Sequence, residues 1–114
     1  KLVQEINKEI ENPDFKLEEL SKIFNMSYSV IYRKYHEISG RKLIELLRSL
    51  RLKRAAQLIV QNGYNISEAS FMVGYRDSKF FTKCFKEEFG VPPATFKREG
   101  KNKGWDKIAE LYGV

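Results

Sequence analysis

Two stretches of this 114-residue chain repeat one another, and the repeat constrains the fold more than any other feature. Leu17, Ser21, Asn25 and Met26 correspond to Ile66, Ser70, Gly74 and Tyr75 at a spacing of 49. Ile31, Arg33, Tyr35 and Gly40 correspond to Phe81, Lys83, Phe85 and Gly90 at a spacing of 50. The one-residue difference falls in a turn, where an insertion costs least. Each copy reads as a short helix, a tight turn at Asn or Gly, and a second helix with a basic residue two before an aromatic. This is a helix-turn-helix written twice.

Apolar residues recur at three and four almost everywhere, and no run alternates with period two, so the fold class is all-α. Leu2, Ile6 and Ile10 form one stripe, stopped at Asn12-Pro13-Asp14. A second helix runs from Leu17 through Leu20 to Phe24, with Asn25 in the left-handed position behind it. Ser27 caps a third through Ile31, Tyr35 and Ile38, ended by Gly40. A long fourth helix spans about Lys42 to Gln61, its stripe being Leu43, Leu46, Leu47, Leu50, Ala55, Leu58 and Ile59. Asn65 with Glu68 makes a capping box for the fifth. Asp77 or Ser78 opens the sixth, which carries Phe81, Phe85 and Phe89 and closes at Gly90. Pro92-Pro93 suits the first turn of a seventh, ending near Arg98. Trp105, Ile108, Ala109 and Tyr112 would line a short C-terminal helix. The expected organisation is a first helix-turn-helix unit over 1–40, a linking helix over 41–62, a second unit over 63–100, and a tail over 101–114.

The second helix of a DNA-reading helix-turn-helix enters the major groove and presents its early exposed residues to base edges. Opposite the Ile31–Tyr35 stripe lie Tyr28, Ser29, Tyr32 and Arg33. Opposite Phe81–Phe85 lie Ser78, Lys79, Thr82, Lys83 and Lys86. Both faces hold donors, and the second is strongly cationic. Arg33 has the planar fork that fits guanine O6 and N7, while Lys79 and Lys83 suit base acceptors or phosphates. A lysine row on one amphipathic helix is by itself usually a solvated face; two such helices in matching register are a stronger signal. A linking helix of about 20 residues is roughly 30 Å long, against about 34 Å between successive major grooves on one side of a duplex. A monomer could therefore reach two adjacent grooves if the duplex bends or the units tilt. Arg48, Arg51, Lys53 and Arg54 on the linking helix divide between phosphate contacts and structural roles, with Arg51 expected to pair internally with an acid.

Charge supports a polyanionic partner. The chain carries 21 Lys+Arg against 15 Asp+Glu, a net +6. Residues 1–20 sum to −3, leaving +9 on the remainder. Cys84 is the only cysteine, so no internal disulfide forms, and a reducing, cytoplasmic location is expected. No run of apolar residues is long enough to span a membrane. With one His and one Cys, a zinc site would need almost only carboxylates. His36 reads as a surface residue near DNA and Cys84 as packing. Ser39-x-x-Lys42 lacks the companion motifs of a hydrolase. Asn25-Met26-Ser27 and Asn65-Ile66-Ser67 match glycosylation sequons but read as turn and cap residues. No catalytic constellation, cofactor site or metal site is expected. The start at Lys1 reads as a piece of a longer protein. The competing reading is a helical protein-interaction module that meets an acidic partner.

Ile66-Ser67-Glu68-Ala69-Ser70, Val73-Gly74-Tyr75, Asp77-Ser78, Phe81-Thr82-Lys83-Cys84-Phe85-Lys86 and Phe89-Gly90-Val91-Pro92-Pro93 together resemble the signature of the AraC/XylS family of bacterial transcription regulators. Arg51-Leu52-x-x-Ala55 and Met26-Ser27-x-x-x-Ile31-x-Arg33-x-Tyr35 are similar to the same family. The resemblance covers roughly residues 1–98. It implies seven helices in two helix-turn-helix subdomains that bind double-stranded DNA, with base-reading positions at Ser29, Tyr32 and Arg33, then Ser78, Lys79 and Lys83. Arg51-Leu52-Lys53-Arg54-Ala55-Ala56-Gln57-Leu58 also resembles the output domains of hybrid two-component regulators. That implies upstream sensor or dimerisation domains, and RNA polymerase is expected as a further partner. Three positions depart from the pattern. Lys16 stands where a capping Ser or Thr is common, so the second helix should lean on Asp14 or fray. Tyr35-His36 replaces Phe-Lys, which removes a phosphate contact. Ser29 is small where a larger reader can occur.

Overall fold

The repeat is visible bond for bond in the computed structural model, which describes residues 2–12 and 14–99. Seven α-helices and no strand occur among these residues: α1 (Leu2–Glu9), α2 (Leu20–Phe24), α3 (Tyr28–Ser39), α4 (Leu43–Val60), α5 (Ile66–Met72), α6 (Ser78–Phe89) and α7 (Pro93–Glu99). Met26 N–H donates to Ser21 O at 3.2 Å in the first unit, and Tyr75 N–H to Ser70 O at 3.0 Å in the second. Asn25 and Gly74 sit at these two turns with φ of 52° and 96°. Gly40 N–H donates to His36 O at 2.8 Å and Gly90 N–H to Lys86 O at 2.7 Å, each closing its helix. The short C-terminal helix expected around Trp105–Tyr112 lies outside the described residues, as does Pro13.

Each helix start shows how its sequence forms it. Ser27 Oγ accepts from Val30 N–H at 3.3 Å, and Asp77 Oδ1 from Lys79 N–H at 2.9 Å. Asn65 and Glu68 exchange bonds of 2.7 and 3.1 Å in a complete capping box. Lys16 cannot accept a backbone proton, yet Glu19 takes Lys16 N–H at 2.8 Å. Asp14 plays no part there; its own N–H donates to Asn12 Oδ1. The helix expected from Leu17 consequently begins as a 3₁₀ turn over Leu17–Glu19 and becomes α-helical at Leu20. Glu45 serves Lys42 N–H in the same half-box at 2.9 Å.

The core is divided in two, and α4 belongs to both halves. Leu43, Leu47 and Leu50 join Ile6, Ile10, Phe15, Leu17, Leu20 and Ile31. Leu52, Ala55, Ala56 and Ile59 join Ala69, Val73, Phe81, Phe85 and Phe96. At about 100° per residue the two sets on α4 lie on opposite faces of the helix. A single apolar stripe was therefore an incomplete description: Leu52, Ala56 and Val60 are buried too. In the second half Phe85 stacks edge-on against Phe96 at 5.3 Å and tilts against Phe89 at 4.6 Å, which fastens α7 to α6.

Ile38 corrects the sequence reading. It was expected on the core stripe of α3 but is 88% exposed. The equivalent position in the second unit, 50 residues on, is Glu88, whose carboxylate is held by Ser49 of α4 at 2.8 Å. An isoleucine can form no such bond, so the Ser49–Glu88 tie between α4 and α6 has no counterpart at this position of α3.

Candidate nucleic-acid interface

On α3 the Ile31 side is buried, and Ser29 and Arg33 are exposed on the other. Tyr32 is half-buried. It tilts against Tyr28 at 6.2 Å and stacks on His36 at 6.2 Å with 13° between ring planes. The three rings form a ladder at i, i+4, i+8 that stiffens the flank of the reading face, so the imidazole at position 36 has a local packing role. Burial first, then the Glu18 carboxylate and Tyr32, push the Tyr28 phenol above its ordinary value.

On α6, Phe81, Cys84 and Phe85 are buried, while Ser78, Lys79, Thr82, Lys83 and Lys86 are all exposed. Thr82 Oγ1 donates to Ser78 O at 2.9 Å, so its proton is engaged while its lone pairs remain available. Lys79, Lys83 and Lys86 form no ion pair among the described residues. Three unneutralised ammonium groups at spacings of four and three concentrate positive potential along one side of one helix.

Arginines of α4 separate by role. Arg54 pairs with Glu11 at 3.3 Å and bonds Gln57, which ties α4 to the chain behind α1. Among the described residues Arg51 does not pair with an acid, contrary to expectation. Its guanidinium lies against Gly74, where a methyl would come within 3.2 Å of Cζ, and its Nε is buried without a hydrogen-bond partner among the described residues. The reason is positional: α4 turns Arg51 toward the second turn, where the aromatic Tyr75 and the bare Gly74 backbone surround it. Burial lowers the Arg51 pKa and raises that of the Tyr75 phenol, which also meets Cys84. Cys84 is buried.

The starts of α3 and α6 flank one surface of α4. Ile44, Leu47 and Arg51 wall a hollow shared with Tyr28 on one side and a second shared with Arg76, Asp77 and Phe80 on the other. Arg76 was missed from sequence; its signal was a lone cation between the Gly74-Tyr75 turn and the Asp77 cap. Among the described residues no cluster of three His, Cys, Asp or Glu could hold a metal, and no helix is long and apolar enough to cross a membrane.

Residues 20–99 match the model of a helix-turn-helix domain family. A histidine kinase of Formosa agariphila is 33% identical over 86 residues, which is 75% of this chain and 6% of that protein. The Msm operon regulatory protein of Streptococcus mutans is 31% identical over 87 residues, 76% of this chain and 31% of that protein. Both relatives are thus far longer than the segment they share. The C-terminal domain of AraT, a response regulator from Geobacillus stearothermophilus, superposes with a TM-score of 0.73 at 30% identity, over 84% of this chain and 79% of that one.

Proposed function

The chain belongs to the AraC-type helix-turn-helix family of transcription regulators, a family of sequence-specific DNA-binding domains, and from that premise we propose that one copy reads a duplex with α3 and α6 in adjacent major grooves. The observation that carries this reading is the shared surface of α4 at Ile44, Leu47 and Arg51: both recognition helices begin beside it, so both ends of the rod serve one side. Arg33 reads a guanine through its fork, with Ser29 and Tyr32 beside it. Ser78, Lys79, Thr82 and Lys83 read the second groove, and Lys86 grips the backbone. Its 18 residues make α4 about 27 Å long, so a groove spacing of about 34 Å is met by bending the duplex.

In this reading residues 1–100 form the DNA-binding unit, divided at 40 and 62, and 101–114 is an appendage. The domain works in the cytoplasm as the output end of a longer regulator, contacts RNA polymerase, and catalyses nothing itself. The kinase and response-regulator relatives support an upstream sensor. Selection from a random duplex pool tests the groove assignment: the enriched sites should carry two fixed blocks about 10 base pairs apart. A single block, or no duplex binding at low salt, would overturn it.

A further inference from the structure

Arg48, Arg51 and Arg76 meet at a cavity of about 350 Å³ between α4 and the second turn. Within 4 Å of none of them is there a carboxylate among the described residues. One acid, Asp77, lines the same cavity, but its Oδ1 accepts from Lys79 N–H at 2.9 Å. Arg48 also borders a hollow with Glu45, Glu87 and Glu88, on its other side, without an ion pair to any of them. Three guanidinium groups facing one space repel each other unless an anion lies between them. Arg51, which lines that space, has a buried Nε with no hydrogen-bond partner among the described residues. A second hollow of about 390 Å³, lined by Lys16, Glu18 and Tyr28, shares the Arg51 wall, so the two make one trough running across α4 between the starts of the recognition helices; Glu18 forms no ion pair with Arg51 among the described residues.

Two major grooves on one side of a duplex are separated by a minor groove with a phosphate strand on each edge. If α3 and α6 occupy those grooves, the strand between them must pass this trough. We propose that Arg48, Arg51 and Arg76 form a phosphate clamp that holds the sugar-phosphate backbone at the central minor groove. The clamp rests on the two-groove reading. It adds a fixed point midway between the reading heads, and that point pulls the duplex onto a rod shorter than the groove spacing. Arg51, fixed by its packing on Gly74, is the preorganised member; Arg48 and Arg76 are exposed and close on the phosphate from either side. Guanidinium forks suit this task because they bind phosphate oxygens bidentately.

Arg48→Ala, Arg76→Ala and the double variant test it in the full 114-residue chain, because both side chains are exposed and their loss leaves the core intact. Gel shifts on a selected duplex and on a scrambled one are run across a salt series. Each single change should lower the salt slope by about 1 and weaken both duplexes by the same factor. Ethylation of the phosphates between the two blocks should block the wild type and leave the double variant's residual binding unaffected. The clamp is overturned if the wild type binds duplex while the double variant keeps its slope, or if ethylation interferes only inside the two blocks. Displacement by inorganic phosphate beyond chloride of equal ionic strength, without a central ethylation signal, would mark a free-anion site and also overturn it. Absence of any duplex binding by the wild type removes the two-groove reading itself, a separately recognisable outcome.

Discussion

The Ser49 hydroxyl on α4 donates to Glu88 Oε2 on α6 at 2.8 Å, and this bond ties the last turn of the second recognition helix to the rod. Ser49 is one of only two buried polar side chains among the described residues, and Glu88 is its partner. A hydrogen bond to a charged acceptor contributes about 1.5–3 kcal/mol, less where the carboxylate can turn to water as this exposed one can. Ser49→Ala should therefore destabilise the chain by about 1 kcal/mol in urea unfolding, and Glu88→Gln by less, since the amide oxygen still accepts. Ile38→Glu, which copies the second unit's residue into the first, should change stability by under about 0.5 kcal/mol because the position is solvated.

Gly74 carries two constraints where Gly90 carries one. Both have positive φ, 96° and 81°, but a methyl at Gly74 would meet Arg51 Cζ at 3.2 Å while one at Gly90 meets nothing within 4 Å among the described residues. Gly90→Ala should cost about 1–2 kcal/mol, the penalty of a left-handed L-residue. Gly74→Ala should cost more than that, because the Arg51 guanidinium must also give by a few tenths of an ångström. Urea midpoints for the two variants, measured side by side, check the order. Reversal of the order would mean that Arg51 moves aside freely.

Much of this architecture is legible in the chain because the decisive residues act locally. Ser27, Asn65 and Asp77 cap the helices they precede, and Gly40 and Gly90 end the helices before them, through bonds reaching four residues or fewer. The features that were not legible depend on partners distant in sequence. Ile38 has the right period for a core residue, but period says nothing about whether another helix arrives to cover it. Leu52 and Ala56 lie off the stripe read from Leu43 and Leu50 because α4 changes partners midway, and two opposed faces cancel any single periodicity. Phe15 is buried from a loop, where no periodicity exists to mark it. At the interface the reading faces of α3 and α6 follow from helical spacing alone. Arg76 does not, because its importance comes from the arginines of α4 that the fold brings beside it.

Tyr75 predicts an alkaline weakness. Its phenol is partly buried beside Cys84, and desolvation raises its pKa well above the ordinary 10.0. The folded state thus holds the phenolic proton more tightly than the unfolded chain does. The resulting stability is present in full below pH 10 and is lost as pH rises beyond it toward the folded value. The urea midpoint should therefore fall between pH 10 and 11, and Tyr75→Phe should fall less steeply over the same interval. Comparing the variant with the parent subtracts the lysines and other tyrosines that titrate alongside. Parallel slopes for the two proteins would contradict the assignment.

Arg33 and Lys83 occupy one repeat position, 50 residues apart, and differ in what they can read. Arg33 offers a fork with two parallel donors, and Lys83 a single rotatable ammonium. Arg33→Ala should cost about 1–3 kcal/mol on a selected duplex and relax one block of the site while leaving the other intact. Arg33→Lys should recover charge and therefore scrambled-duplex affinity, yet not the guanine preference, because a point charge cannot satisfy O6 and N7 together. Lys83→Arg has the opposite expected effect: a new preference for guanine in the second block, at unchanged salt slope. Repeating the duplex selection with the three variants measures all of this, and equal losses on selected and scrambled duplexes for Arg33→Ala would reassign Arg33 to the phosphate backbone.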